Sequence, residues 1–163
     1  MPIKISNIFV VLLLTALLQP CVYAKAKTDK VHIKSDRVEM NYKTGVTRYI
    51  GHVVVTSSET IATGSKMLTE QNDNNKLSQA TIFGNEAHLT IKDKKDPLYA
   101  KAKIIKLFPQ SHMIELIEHA RATQHGNSIS APRMTYNTKT KVLQSESTKK
   151  SQAHIELLNH PSA

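Results

Sequence analysis

The chain has 163 residues, 40% of them apolar, with 22 basic against 13 acidic side chains, one cysteine and no tryptophan. That supports one modest domain, and with aromatic residues at 5% its core must be Val, Ile, Leu and Ala spread along an extended sheet. A single cysteine excludes a disulfide framework, and a formal charge of +9 suits an anionic partner or serves only to keep sheet edges soluble.

Met1 to Ala24 carries one basic residue, Lys4, then an apolar run from Ile8 to Leu18 and small residues ending in Val22-Tyr23-Ala24-Lys25-Ala26. The run is about half the roughly 20 residues a membrane-spanning helix needs, so it reads as a secretory signal over 1–24 cleaved after Ala24 or Ala26. Cys21 would leave with it. Pro20, where a lipoprotein needs a small residue, argues against lipid attachment there. The mature protein is expected to be exported with a surplus of about eight positive charges, and export makes nucleic acid the least suitable anionic partner.

Lys30 to Lys34 alternates polar and apolar residues, so it reads as a strand with Val31 and Ile33 on one face. Arg37 to Tyr42 alternates again, with Val38, Met40 and Tyr42 together, and Lys43-Thr44-Gly45 is a hairpin signal. Tyr49 to Thr56 is the clearest strand, with Val53 and Val55 inward and His52 and Val54 outward; it returns through Thr60 to Met67. The same outline recurs as Ile82 to Leu89 with Tyr99 to Ile104, and as Leu116 to Thr123 with Ser128 to Met134. Repeated two-strand units that cannot bury their apolar faces alone must stack on their neighbours. Polar loops are expected at Gln71 to Lys76, Asp93 to Pro97, Phe108 to Ser111 and Tyr136 to Thr140. Residues 145–163 read as a flexible tail with a short helical period over Ala153 to Leu158.

Catalytic chemistry has no foothold. The eight histidines are scattered without metal-ligand spacing, the carboxylates stand singly, and no nucleophile motif or phosphate-cradling glycine loop is present. The chain reads as a non-enzyme with no catalytic residue, no metal and no cofactor. Its distinctive chemistry is a lining of small and aliphatic residues, Val53, Val55, Ala87, Leu89, Ile91, Ala120 and Ala122, which either fills an ordinary sandwich core or lines an apolar groove.

The export segment, Val-His-Ile-Lys-Ser-Asp at Val31 to Asp36, Gly-His-Val-Val-Val-Thr at Gly51 to Thr56, and the Ile-x-Ala-type returns resemble the LptA, or OstA-like, family of periplasmic lipopolysaccharide transport proteins. The resemblance covers Lys30 to Gln144. One departure is Ser65, where the family commonly has an acidic residue after the Ala of the return.

The resemblance implies an all-β fold over 30–144, a single open β-jellyroll of many short antiparallel strands. It also implies lipid A chains in an apolar groove, an inner-membrane LptC-like protein at the N-terminal edge, an outer-membrane LptD-like translocon at the C-terminal edge, and head-to-tail self-association. By position, the family's acyl-contacting residues fall on Val31, Ile33, Leu89 and Leu107; alternation adds Val38, Met40, Val53, Val55 and Ile91. Lys34, Arg37, Lys101, Lys103 and Arg121 are the candidate partners for lipid phosphates at the groove mouth. Two other readings compete: an LptC-like membrane-tethered docking protein, which needs Ile8 to Leu18 uncleaved, and an exported binding module for anionic polysaccharide, for which the chain offers few aromatic platforms.

Overall fold

The computed structural model describes residues 30–147 and 152–158, so the expected export signal and Cys21 lie outside the described residues. The described chain forms ten strands: β1 (His32–Lys34), β2 (Arg37–Asn41), β3 (Val46–Thr56), β4 (Thr60–Gln71), β5 (Leu77–Ile91), β6 (Leu98–Phe108), β7 (Met113–Gln124), β8 (Asn127–Asn137), β9 (Val142–Glu146) and β10 (His154–Glu156). All belong to one antiparallel sheet in which β3 to β8 are adjacent in chain order. The three expected two-strand units are the hairpins β3–β4, β5–β6 and β7–β8.

The polar loops close as their residues dictate. Asn41 Oδ1 accepts hydrogen bonds from the backbone of Lys43 and Thr44 ahead of Gly45, whose φ is 64°. Asn72 Oδ1 does the same for Asn74 and Lys76.

The central strands run from 11 to 15 residues, longer than predicted, and each continues through a bend. Register shifts interrupt all five pairings between them, at Ile50/Val53, Thr63/Lys66, Phe83/Ala87, Lys101/Ile104 and Ile117/Ala120. Three of these fall at equivalent places in the three repeated units, Gly51-His52, Gly84 to Glu86, and Glu118-His119. An added residue on one strand bends it and raises its twist, so a line of bulges folds the sheet into two facing halves. His52 and His119 sit in such bulges with positive φ, whereas His88 lies beyond its bulge in regular pairing with Thr63 and Lys101.

Paired residues of neighbouring strands share a face, so the register defines rows across the whole sheet. In one half an inward row runs from Ile33 through Val55, Ala62, Leu89 and Ala100 to Ala122, Ile129 and Ile155. In the other it runs from Val38 through Tyr49, Met67, Ile82 and Ile105 to Leu116, Met134 and Ser145. The middles of these rows form the core, where Ile82, Ile105 and Met134 are wholly buried. Each such side chain contributes about 1.5–3 kcal/mol by leaving water. The same register places Ile105 and Leu107 inward and Ile104 outward, opposite Phe83 and Ile117.

Both ends of the sheet have a split edge. β1 and β2 pair successive stretches of β3, and β10 and β9 pair successive stretches of β8. The expected helix near Ala153 to Leu158 is therefore a strand, and the expected flexible tail from residue 145 is in part docked. Ile155 lies opposite Ile129, while Glu156 accepts hydrogen bonds from the Arg121 guanidinium at 2.7 Å and the Ser128 hydroxyl at 3.0 Å. Six residues are too few for apolar period alone to separate a helix from a strand.

Candidate functional site

A cavity of about 260 Å³ opens between the two halves of the sheet. Val31, Ile33 and Val55 line it from one half, and Met67, Ala80, Leu107 and Ile114 from the other. Its rim includes the β3–β4 turn at Ser57 to Thr60 and the β6–β7 turn around Phe108 to His112. The lining is predominantly hydrocarbon because inward positions of both halves meet there. Val31 is 55% exposed, which puts it at the lip.

Of the nine residues expected to line a groove, Val31, Ile33, Val55 and Leu107 do so. Val53, Leu89 and Ile91 face inward as expected but are packed in the closed core at no more than 5% exposure, so they back the cavity and do not line it. Val38 and Met40 also belong to inward rows, opposite Tyr49 and Thr47. They are nevertheless 50% and 55% exposed, because β2 is an edge strand with no neighbour beyond it among the described residues.

The expected phosphate partners are elsewhere. Lys34 pairs with outward Val54, and Lys101 and Arg121 lie opposite each other between inward alanines, so all three point away from the cavity. Arg37 lies opposite outward Ile50. Four of the five also have carboxylate partners: Arg37–Glu39 at 2.7 Å, Lys101–Glu86 at 2.6 Å, Lys103–Glu118 at 3.4 Å and Arg121–Glu156 at 2.7 Å. The hydrogen bond from Lys101 holds the Glu86 carboxyl below the usual carboxylate range. The cations at the cavity mouth are different ones, Lys92, Lys94, Lys95 and Lys141, around a hollow that shares Glu59, Thr60 and Thr138 with the cavity. Sequence reading missed them because a charge run in a loop looks the same wherever the loop is folded.

Among the described residues no three His, Cys, Asp or Glu side chains are grouped to hold a metal ion, and no helix is long and apolar enough to cross a membrane. Burial pushes the Tyr136 hydroxyl up from its ordinary range, with Asp93 and Asp96 adding to the shift. What the arrangement can do is shelter hydrocarbon.

Known proteins share this architecture. Residues 32–142 match the family described as LptA/(LptD N-terminal domain) LPS transport protein. The chain belongs to this family. A curated relative is the lipopolysaccharide export system protein LptH of Pseudomonas aeruginosa, 28% identical over 119 residues that cover 72% of this chain and 68% of that protein. A solved structure of LptH, described as the LptA homologous periplasmic component of the conserved lipopolysaccharide transport device of Pseudomonas aeruginosa, matches with a TM-score of 0.74. That match has 24% identity and covers 80% of this chain and 96% of that one, so the open jellyroll is shared. For a family of transport proteins, an apolar cavity opening at a bent sheet is the feature that bears on function.

Proposed function

We propose that this chain is an exported periplasmic carrier of lipopolysaccharide that shelters lipid A acyl chains against Val31, Ile33, Val55 and Leu107 and bridges inner- and outer-membrane assemblies. The observation that carries the reading is the cavity between the two halves, lined by hydrocarbon from inward positions of both. An acyl chain in water loses about 0.8 kcal/mol for each methylene it fails to bury, so a dry lining has to accompany the lipid along its path.

In this reading an LptC-like inner-membrane protein docks on the β1/β2 edge, an LptD-like translocon docks on the β9/β10 edge, and copies join head to tail. Unpaired edge strands offer backbone donors and acceptors to a neighbour. Strand direction favours such a junction. β3 and β8 are five antiparallel steps apart, so the β9/β10 edge of one copy meets the β1/β2 edge of the next in antiparallel sense.

Photo-crosslinking in cells from residue 33, with residue 34 as the outward control, tests the carrier. An adduct with lipopolysaccharide from position 33 and little from position 34 is expected. Adducts from neither position in a folded, exported protein would overturn the carrier and leave an LptC-like docking role as the better account.

A further inference from the structure

We propose that Lys92, Lys94, Lys95 and Lys141 form an anion subsite at the mouth of the apolar cavity, which takes a phosphate carried by the lipid whose acyl chains occupy the cavity. This rests on the carrier reading and adds to it the place and the chemistry of headgroup recognition.

The hollow is about 490 Å³ and is bounded by the β5–β6 loop, the β3–β4 turn and the β8–β9 turn. Two contacts to the β3–β4 turn latch the start of the β5–β6 loop in place. The Lys92 backbone N–H donates to the Glu59 carbonyl at 2.7 Å, and Lys92 Nζ donates to the Ser57 carbonyl at 2.8 Å. Lys141 approaches from the β8–β9 turn, with its ammonium 3.9 Å from Asp93 Oδ2. Two segments, held against a third, thus bring four lysines to one opening.

Two carboxylates share the hollow, Glu59 and Asp93, so its lining carries a formal +2. Asp93 is already engaged: its Oδ1 accepts the Lys95 N–H at 3.1 Å, and that bond together with nearby Lys141 holds its carboxyl below the usual range. Asp96 faces Gln124 and His125 instead. Lys94 makes no ion pair among the described residues, in contrast to four of the five cations on the outer face. Glu59, Thr60 and Thr138 border the hollow and the cavity alike, so one amphipathic molecule can reach both. A phosphate monoester, with several acceptor oxygens and up to two charges, suits a ring of lysines better than a carboxylate does.

The test measures binding of the full exported chain to lipid A carrying two phosphates, to the same lipid with its phosphates removed, and to inorganic phosphate. Variants are Lys94→Gln with Lys95→Gln, Lys94→Arg with Lys95→Arg, and the outer-face control Lys34→Gln. The native chain should bind the phosphorylated lipid roughly ten-fold more tightly, the scale of one charge-assisted hydrogen bond. The glutamine pair should bind both lipids alike and lose the salt dependence, while the arginine pair and Lys34→Gln keep the native preference. Equal binding of both lipids by the native chain overturns the subsite and leaves the carrier standing. Tight binding of inorganic phosphate without preference for the phosphorylated lipid makes the hollow a site for the free ion and also overturns it. Failure to bind either lipid overturns the carrier and the subsite together.

Discussion

Asp36 closes over Gly51: its backbone N–H donates to the Gly51 carbonyl at 3.0 Å, and its carboxylate reaches His52 Nδ1 at 2.8 Å. This contact forms the corner between β1 and β2 and sets both strands along the bulge of β3. A Cβ at Gly51, where φ is +79°, would lie 2.1 Å from Asp36 Oδ2. Gly51→Ala should therefore lower the urea midpoint by an amount equivalent to about 1–3 kcal/mol. Gly45→Ala, with φ +64° but its nearest neighbour at 3.5 Å, bears only the backbone strain and should lose less.

Ile105 and Ile104 separate the two faces of β6. Ile105→Ala removes a wholly buried side chain between Ile82 and Leu116 and should cost about 2–5 kcal/mol in equilibrium unfolding. Ile104→Ala, on the half-buried outer face, should cost about half as much or less. Equal losses would mean that the register of β6 is different.

Docking of β10 should weaken in acid. The Ser128 hydroxyl, followed by the charge of Arg121, holds the Glu156 carboxyl below its ordinary value. A depressed carboxylate contributes stability that is full above the unfolded value of about 4.3 and fades as pH falls through the lower folded value. Protection of the Ser128 to Ser130 amides, taken relative to the intrinsic exchange rate at each pH, should accordingly fall below about pH 4. Glu156→Gln should exchange faster at neutral pH and show little of that acid step.

If copies join edge to edge in continuous register, Glu146 at the end of one outer row comes beside Arg37 at the start of the next. Glu146→Arg or Arg37→Glu alone should weaken self-association several-fold in sedimentation, and mixing the two variants should restore it. Each edge charge has a carboxylate or guanidinium neighbour within its own chain, so the restored affinity should fall somewhat short of native.

The strands, the three hairpins and the inward direction of Val53, Val55, Leu89 and Ile91 were legible because alternation is a local signal. Strict alternation also contained a warning that went unread: Lys101 between Ala100 and Ala102, and Arg121 between Ala120 and Ala122, have to point outward. Exposure of Val38 and Met40 was not legible, since it depends on the absence of a further strand beside β2. Nor was the approach of Lys141 to Lys92 through Lys95, which the bends in six strands bring about.

The inward rows begin and end with residues that are still partly uncovered, Val38 and Met40 at one edge and Ile155 at the other. Among the described residues no strand lies beyond either edge. If copies join edge to edge as proposed, the dimensions of the resulting track are governed separately: its cross-section is written into the bulges and inward side chains of a single chain, while its length is left to the number of copies that add on. A cell could match it to a wider or narrower envelope by adding or removing copies, with no change to the surface that the cargo meets.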